Sequence, residues 1–166
     1  MSDLSHVAST PDTDAPMIVI DTTGCDLGEE KDEGGSTRNE GEVVVVRSHL
    51  ERLKEAGVKE EEIGILAPYN AQVSLLRDWL REDFPKVEIG TVDGFQGREK
   101  ECIILTLVRS NARREVGFLA DDRRLNVAIT RAKRQVCVVC DCESVSSHGF
   151  IKDLVDYCEE QGAEYR

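Results

Sequence analysis

Apolar residues in this chain fall into two kinds of stretch that alternate along it. Residues 17–21 (MIVID), 63–66 (IGIL), 87–92, 101–108 and 135–141 are short, nearly continuous apolar runs. Runs of that length bounded by turn residues predict strands buried on both faces. Between them the period lengthens. The stretch 43–57 has four valines, which favour a strand. Yet Val43, Val46, Leu50 and Leu53 recur at helical spacing and Gly57 provides a stop, so the pattern predicts a helix. Further helices are predicted over 71–82, from a cap at Asp121 or Asp122 to about 132, and over 148–161. Strands alternating with helices predict an α/β fold, a mostly parallel sheet flanked by helices in three layers. In such sheets ligands sit at the carboxyl ends of the strands.

The ends and one loop read differently. Residues 1–15 are polar and rich in Ser, Thr, Asp and Pro, which predicts disorder. Residues 22–41 read as a long Gly- and Glu-rich loop, and 163–166 as a tail, leaving 16–162 as the folded domain. The chain has no 18-residue apolar run and no basic-then-apolar leader, so an intracellular protein, nuclear or cytoplasmic, with no membrane partner is expected.

Charge changes the picture because it is uneven. The net charge is −12, but residues 1–42 hold 11 acidic and 2 basic residues, whereas 98–134 hold 10 basic and 5 acidic. An anionic partner responds to that local positive field rather than to the total. Three of six cysteines lie in VCVVCDC, 136–142. The β-branched run and the lack of a second Cys or His pair favour a buried strand over a metal knuckle, so no metal is expected.

Three loops carry candidate chemistry. After the second apolar run come Pro68, Tyr69 and Asn70, an aromatic and amide set suited to stacking on and bonding a single strand. VDGFQGREKE, 92–101, places Gly94, Gln96, Gly97, Arg98 and Glu99 directly before a strand. DDRRLNVAITRAKR, 121–134, crowds Arg123, Arg124, Arg131, Lys133 and Arg134 onto and beyond one short helix, where an anion would relieve their repulsion. No GxxxxGK[ST] loop, His-Glu-x-x-His or GxSxG motif occurs, and His6, His49 and His148 are isolated.

Taken in order, VDGFQGREKE, VRSN (108–111) and VGFLADDRRLNVAITRAKR (116–134) resemble the late motifs of superfamily 1 helicases. The likeness is to the 5′-to-3′ branch, of the immunoglobulin mu-binding protein 2 and up-frameshift type. GILAPYNAQ resembles the motif opening the second motor domain of that branch, and SHGFIKDLVDY, 147–157, resembles its ending. The similarity covers 17 to about 160.

The resemblance implies a RecA-like second motor domain with the P-loop NTPase fold. It implies ATP with Mg²⁺, held only together with a P-loop-bearing first RecA-like domain, and a single-stranded DNA or RNA partner. Gly97 and Glu99 match the motif that meets the nucleotide, with the glutamate at the ribose hydroxyls. Gln96 lies beside the γ-phosphate path. Arg131 matches the arginine that reaches the γ-phosphate from the opposing domain, with Arg124 and Asn126 supporting its helix. Pro68, Tyr69, Asn70, Thr91 and Val92 match positions near the strand, and Arg109 and Asn111 match couplers between the two sites. A Ser36…Asn39…Glu42 pattern departs in spacing, and no role is carried over to it. The chain alone is expected to be inactive toward ATP. The other reading is a non-catalytic nucleic-acid or protein binding module derived from a helicase.

Overall fold

The computed structural model describes residues 1–95, 98–161 and 164–165; of Phe118, Leu119, Glu164 and Tyr165 it describes the backbone alone. The candidate residues Gln96 and Gly97 lie outside the described residues.

The apolar runs become β1 (Met17–Asp21), β4 (Ile63–Ala67), β5 (Glu88–Thr91), β6 (Lys100–Thr106) and β7 (Ala132–Cys140). With β8 (Glu164–Tyr165) they form one parallel sheet in the order β5-β4-β6-β7-β1-β8. The period-2 rule sorts their side chains into two cores. Ile18, Ile20, Ile63, Ile65, Ile104, Cys137 and Val139 face one layer of helices. Val19, Leu66, Ile103, Leu105, Val136 and Val138 face the other. The first layer holds α1 (Pro11–Asp14), α2 (Glu40–Glu55) and α3 (Asn70–Leu80). The second holds α4 (Asp122–Thr130), the short α5 (Cys142–Val145) and α6 (Gly149–Glu160). This is a RecA-like α/β sandwich.

The valine-rich stretch is helical because burial follows a period near 3.6. Val43, Val46, Leu50 and Leu53 are at most 1% exposed, while Val44 is 57% exposed. A strand would have buried Val44 together with Val46. Asn39 caps α2, its Oδ1 accepting from Glu42 N at 3.0 Å. At the other end Gly57, φ +97°, turns the chain out, and Val58 N donates to Leu53 O at 3.0 Å.

Three segments differ from the sequence expectation. Residues 1–15 pack on the first helical layer in place of the predicted disorder. Met1, Leu4 and Val7 lie against the core at a spacing of three, Ala8 N donates to Ala56 O at 2.7 Å, and Gln135 Nε2 donates to Ala15 O at 2.8 Å. A composition average hides three apolar residues that share one side. The predicted loop 22–41 contains a hairpin of β2 (Glu30–Lys31) and β3 (Thr37–Arg38), turned at Gly35 with φ +81°. The predicted tail supplies β8, which pairs with β1.

The topology sets up two functional rims. From the carboxyl end of β4 the chain leaves through α3 toward β5; from that of the neighbouring β6 it leaves through α4 toward β7, on the opposite face. The diverging exits open a crevice above β4 and β6, the switch point where such folds take ligands. The connection from β5 to β6 passes across the intervening β4. It starts at the carboxyl rim, where Val92 N donates to Ala67 O at 3.3 Å, and ends at the amino rim, where Lys100 N donates to Arg131 O at 3.0 Å. Among the described residues of this motif, Val92 stands at the carboxyl rim and Lys100 at the amino rim.

Candidate functional site

At the carboxyl rim the crevice is lined by Tyr69, which follows β4, and Arg109, which follows β6. Arg109 is presented by a γ-turn of the rarer hand: its N–H donates to Leu107 O at 2.8 Å around Val108, whose φ is +72°. A β-branched residue there is strained, by about 1–3 kcal/mol, and persists only where its surroundings fix it. Here Val108 N donates to Glu42 Oε2 at 2.9 Å, and Val108 O accepts from Asn39 Nδ2 at 3.1 Å. Gln72 joins the same buried network, donating to Asn39 O and Thr106 Oγ1, each at 3.2 Å. The Ser36…Asn39…Glu42 stretch is thus the scaffold of the rim; Ser36 Oγ accepts from Ala71 N at 3.1 Å.

Arg109 donates from Nη1 to the Tyr69 hydroxyl at 3.2 Å and from Nε to Glu29 Oε2 at 2.9 Å. Burial works against its charge, but these bonds hold the guanidinium above its ordinary pKa. Asn111 folds its own loop, with Oδ1 accepting from Glu115 N at 2.9 Å and Nδ2 donating to Glu115 O at 3.0 Å. Tyr69, Arg109 and Asn111 are therefore brought together, with half-buried Pro68 and exposed Asn70 beside them. Thr91 Oγ1 accepts from Gly94 N at 3.0 Å and so shapes the turn that follows. Val92 departs from its expected role: it is 3% exposed, packed in the second core, so only its backbone faces the rim.

Gly117 closes over this pair. Its φ is +52°, and a Cβ there would stand 2.3 Å from Arg109 Nη1 and 3.3 Å from the Tyr69 oxygen. Gly117→Ala is expected to lower stability by about 1 kcal/mol through backbone strain. It should also push the guanidinium off Tyr69, and urea unfolding together with the tyrosine absorbance reads both effects.

At the amino rim, Lys100 pairs with Ala132, so Glu99 and Arg131 emerge side by side at the starts of adjacent strands. Glu99 is exposed and has no ion pair among the described residues. Arg131 follows the last turn of α4, where its Nε donates to Val127 O at 3.2 Å. A cation at a helix carboxyl end is favoured by the helix dipole. No carboxylate within ion-pair distance meets Arg131 among the described residues, a property shared with the exposed Arg123. Most of the surrounding cations are paired: Arg98 and Lys100 with Glu88, Arg124 with Asp93 and Asp121, Lys133 and Arg134 with Glu101. The Arg124–Asp93 contact, 3.6 Å, ties α4 to the turn of the VDGFQG motif.

Half of a triphosphate site fits these residues. The guanidinium, unpaired among the described residues, suits a terminal phosphate and the neighbouring carboxylate suits a pair of hydroxyls, but among the described residues no phosphate cradle or metal-binding acid stands with them. Among the described residues no group of three His, Cys, Asp or Glu side chains is placed to hold a metal. Cys137 and Cys140 lie in β7, and burial drives the Cys137 thiol well up. Among the described residues no helix is long and apolar enough to cross a membrane.

Sequence reasoning missed Glu29 and Glu42. Glu29 is one acid in an acidic loop, and nothing local marks it as the group that reaches the 109–111 turn.

The parallel sheet, the helices on both its faces and the two polar rims, one with Glu99 and Arg131 and the other with Tyr69, Arg109 and Asn111, define a RecA-like α/β domain. Comparison with known proteins carries this further. The family model described as AAA domain, AAA_12, matches residues 2–143. DNA-binding protein SMUBP-2 of Rattus norvegicus is 53% identical over 163 residues, covering 98% of this chain and 16% of that protein. DNA polymerase alpha-associated DNA helicase A of Saccharomyces cerevisiae is 47% identical, covering 95% of this chain and 25% of that protein. The regulator of nonsense transcripts 1 homolog of Drosophila melanogaster is 35% identical, covering 91% and 13%. The chain belongs to this AAA-domain family and is a helicase-derived domain of the superfamily 1, SMUBP-2 and up-frameshift type. It spans about a sixth of the rat relative's length and a quarter of the yeast relative's.

Proposed function

We propose that this chain is the second motor domain of an ATP-dependent DNA or RNA helicase that acts in the nucleus or cytoplasm. The observation that carries the reading is the rim arrangement: among the described residues Arg131 and Glu99 stand without counter-ions at one end of the sheet, and Tyr69, Arg109 and Asn111 cluster at the other. Arg131 would meet the γ-phosphate and Glu99 the ribose of an ATP·Mg²⁺ whose other contacts come from a P-loop-bearing first domain. Gln96 and Gly97 belong to the same motif. ATP supplies the free energy of phosphoryl transfer; this chain's part is to neutralise charge on the transferred group and to grip the strand. Closing the two domains would bring Arg131 in and move the strand rim with it, which links nucleotide state to grip.

The test is reconstitution. The 166-residue chain alone should hydrolyse ATP negligibly, and adding a P-loop-bearing first domain should restore hydrolysis stimulated by single strands. Strand-stimulated hydrolysis by the chain alone would refute the reading. Binding of oligothymidylate by the isolated chain should be weak and salt-sensitive, with log K falling against log salt at about −0.7 per phosphate contact. Tight binding that ignores salt, measured by fluorescence anisotropy, would contradict it.

A further inference from the structure

Three donors from one turn meet on a single oxygen. Arg109 Nε (2.9 Å), Ser110 N–H (2.8 Å) and Asn111 Nδ2 (3.2 Å) all donate to Glu29 Oε2. The Glu29 and Arg109 side chains are only 15% and 11% exposed, so this is a built seat rather than a surface ion pair. A guanidinium, a backbone N–H and a side-chain amide converging on one point is the donor set of a phosphate-oxygen site. The present occupant is the chain's own carboxylate, which carries one charge and two acceptor oxygens and stands in for the phosphodiester.

We infer that Arg109, Ser110 and Asn111 form a seat for one phosphodiester oxygen of a single nucleic-acid strand, and that Glu29 fills it as a built-in competitor. The inference deepens the helicase reading and rests on it. The crevice geometry favours exchange over a permanent brace. The backbone around Glu29 is held without its side chain, by Asn39 Nδ2 donating to Leu27 O at 2.7 Å, by Glu29 N donating to Ser110 O at 3.3 Å and by the pairing of Glu30 with Arg38. Only the Glu29 side chain has to rotate; no loop needs to unfold. The other acids around the seat differ in charge. Glu42 is held protonated by burial; Asp141 stays ionised under bonds from Ser110 Oγ at 2.7 Å, Ser144 Oγ at 2.8 Å and Thr23 Oγ1 at 3.1 Å, and its charge is part of what a phosphate must overcome, while Glu143 is paired with Arg114. Arg109 keeps its second tie to Tyr69, so it stays aimed when the carboxylate leaves.

A seat filled about nine-tenths of the time by the chain's own group costs an incoming ligand about tenfold in apparent affinity. In the 166-residue chain, Glu29→Gln should therefore bind labelled oligothymidylate about tenfold more tightly than wild type. Its salt slope should stay within about 0.7 of the wild type's, because the same phosphate contact forms once Glu29 has moved aside. Glu33→Gln, in the exposed turn between β2 and β3, removes the same charge elsewhere in the loop and should change affinity less than about twofold. Equal effects of the two substitutions, or weaker binding by Glu29→Gln, overturn the competitor while leaving the strand reading in place. No binding by any of the three at low salt overturns both. A measurement on the wild type covers the case in which Glu29→Gln unfolds: the Ser110 amide and Asn111 side-chain amide resonances should move as oligothymidylate is added. If they stay put while the oligonucleotide binds, Glu29 is never displaced and the inference fails.

Discussion

Arg131→Ala, made in a protein that joins this chain to a P-loop-bearing first motor domain, is expected to lower kcat for ATP hydrolysis by roughly 10³-fold or more. The magnitude follows from what a guanidinium does at a transferring phosphoryl group. Charge spreads over the equatorial oxygens as the bond to the leaving group stretches, and a positioned cation stabilises that state more than the ground state. The loss should therefore fall mainly on kcat, with a smaller change in KM. Arg131→Lys should restore little, because an ammonium lacks the planar fork. Arg123→Ala is the matched control, since it removes an exposed charge from the same helix and also has no carboxylate partner among the described residues. Steady-state hydrolysis with saturating single strands reads all three. Retention of activity by Arg131→Ala within about threefold, or an equal loss in Arg123→Ala, would remove Arg131 from the chemistry.

The second large effect is on stability and comes from Glu42. Its carboxyl is fully buried. Burial pushes it up to about 8 from an ordinary 4.5, while bonds from Thr106 Oγ1 and Val108 N oppose that rise. Oε1 has no hydrogen-bond partner among the described residues, which leaves it as the oxygen that carries the proton. Between pH 4.5 and about 8 the folded chain thus holds a proton that the unfolded chain has released. Stability is full below 4.5, falls as pH rises through that window and levels off above about 8. The span is on the order of 4–5 kcal/mol. The carboxylates of Asp21 and Asp141, held low by hydrogen bonds, act with the opposite sign and only in acid, so they do not mask it. Glu42→Gln keeps an acceptor for Thr106 and Val108 but cannot ionise. Its urea midpoint should stay flat from pH 5.5 to 8.5 and exceed that of the wild type at the upper end. Parallel profiles for the two proteins would mean that Glu42 does not titrate in this window.

Much of this molecule is written in local pattern, and the part that is not has a common cause. The helix α2 is legible because Val43, Val46, Leu50 and Leu53 repeat the period that buries them. The adjacency of Glu99 and Arg131 required knowing that β6 and β7 pair, which the motifs suggested and the register carries. Glu29 and Glu42 were illegible as site residues. Their meaning depends on the turn at 107–111, which lies 65 or more residues away in the chain and faces them only once the sheet is assembled. Residues 1–15 were misread because composition averages over position, and Met1, Leu4 and Val7 matter by their shared side.

The strand order also bears on how the chain is made. β1 touches only β7 and β8 within the sheet, its Met17 lying opposite Val136. A ribosome releasing residue 21 has still to produce more than a hundred residues before that first strand finds a neighbour. Pairings that close loops of this size form slowly. During synthesis the segment MIVID is an unpaired, strongly apolar ribbon, and any chain cut short ahead of residue 132 would leave it permanently exposed, a ready seed for aggregation.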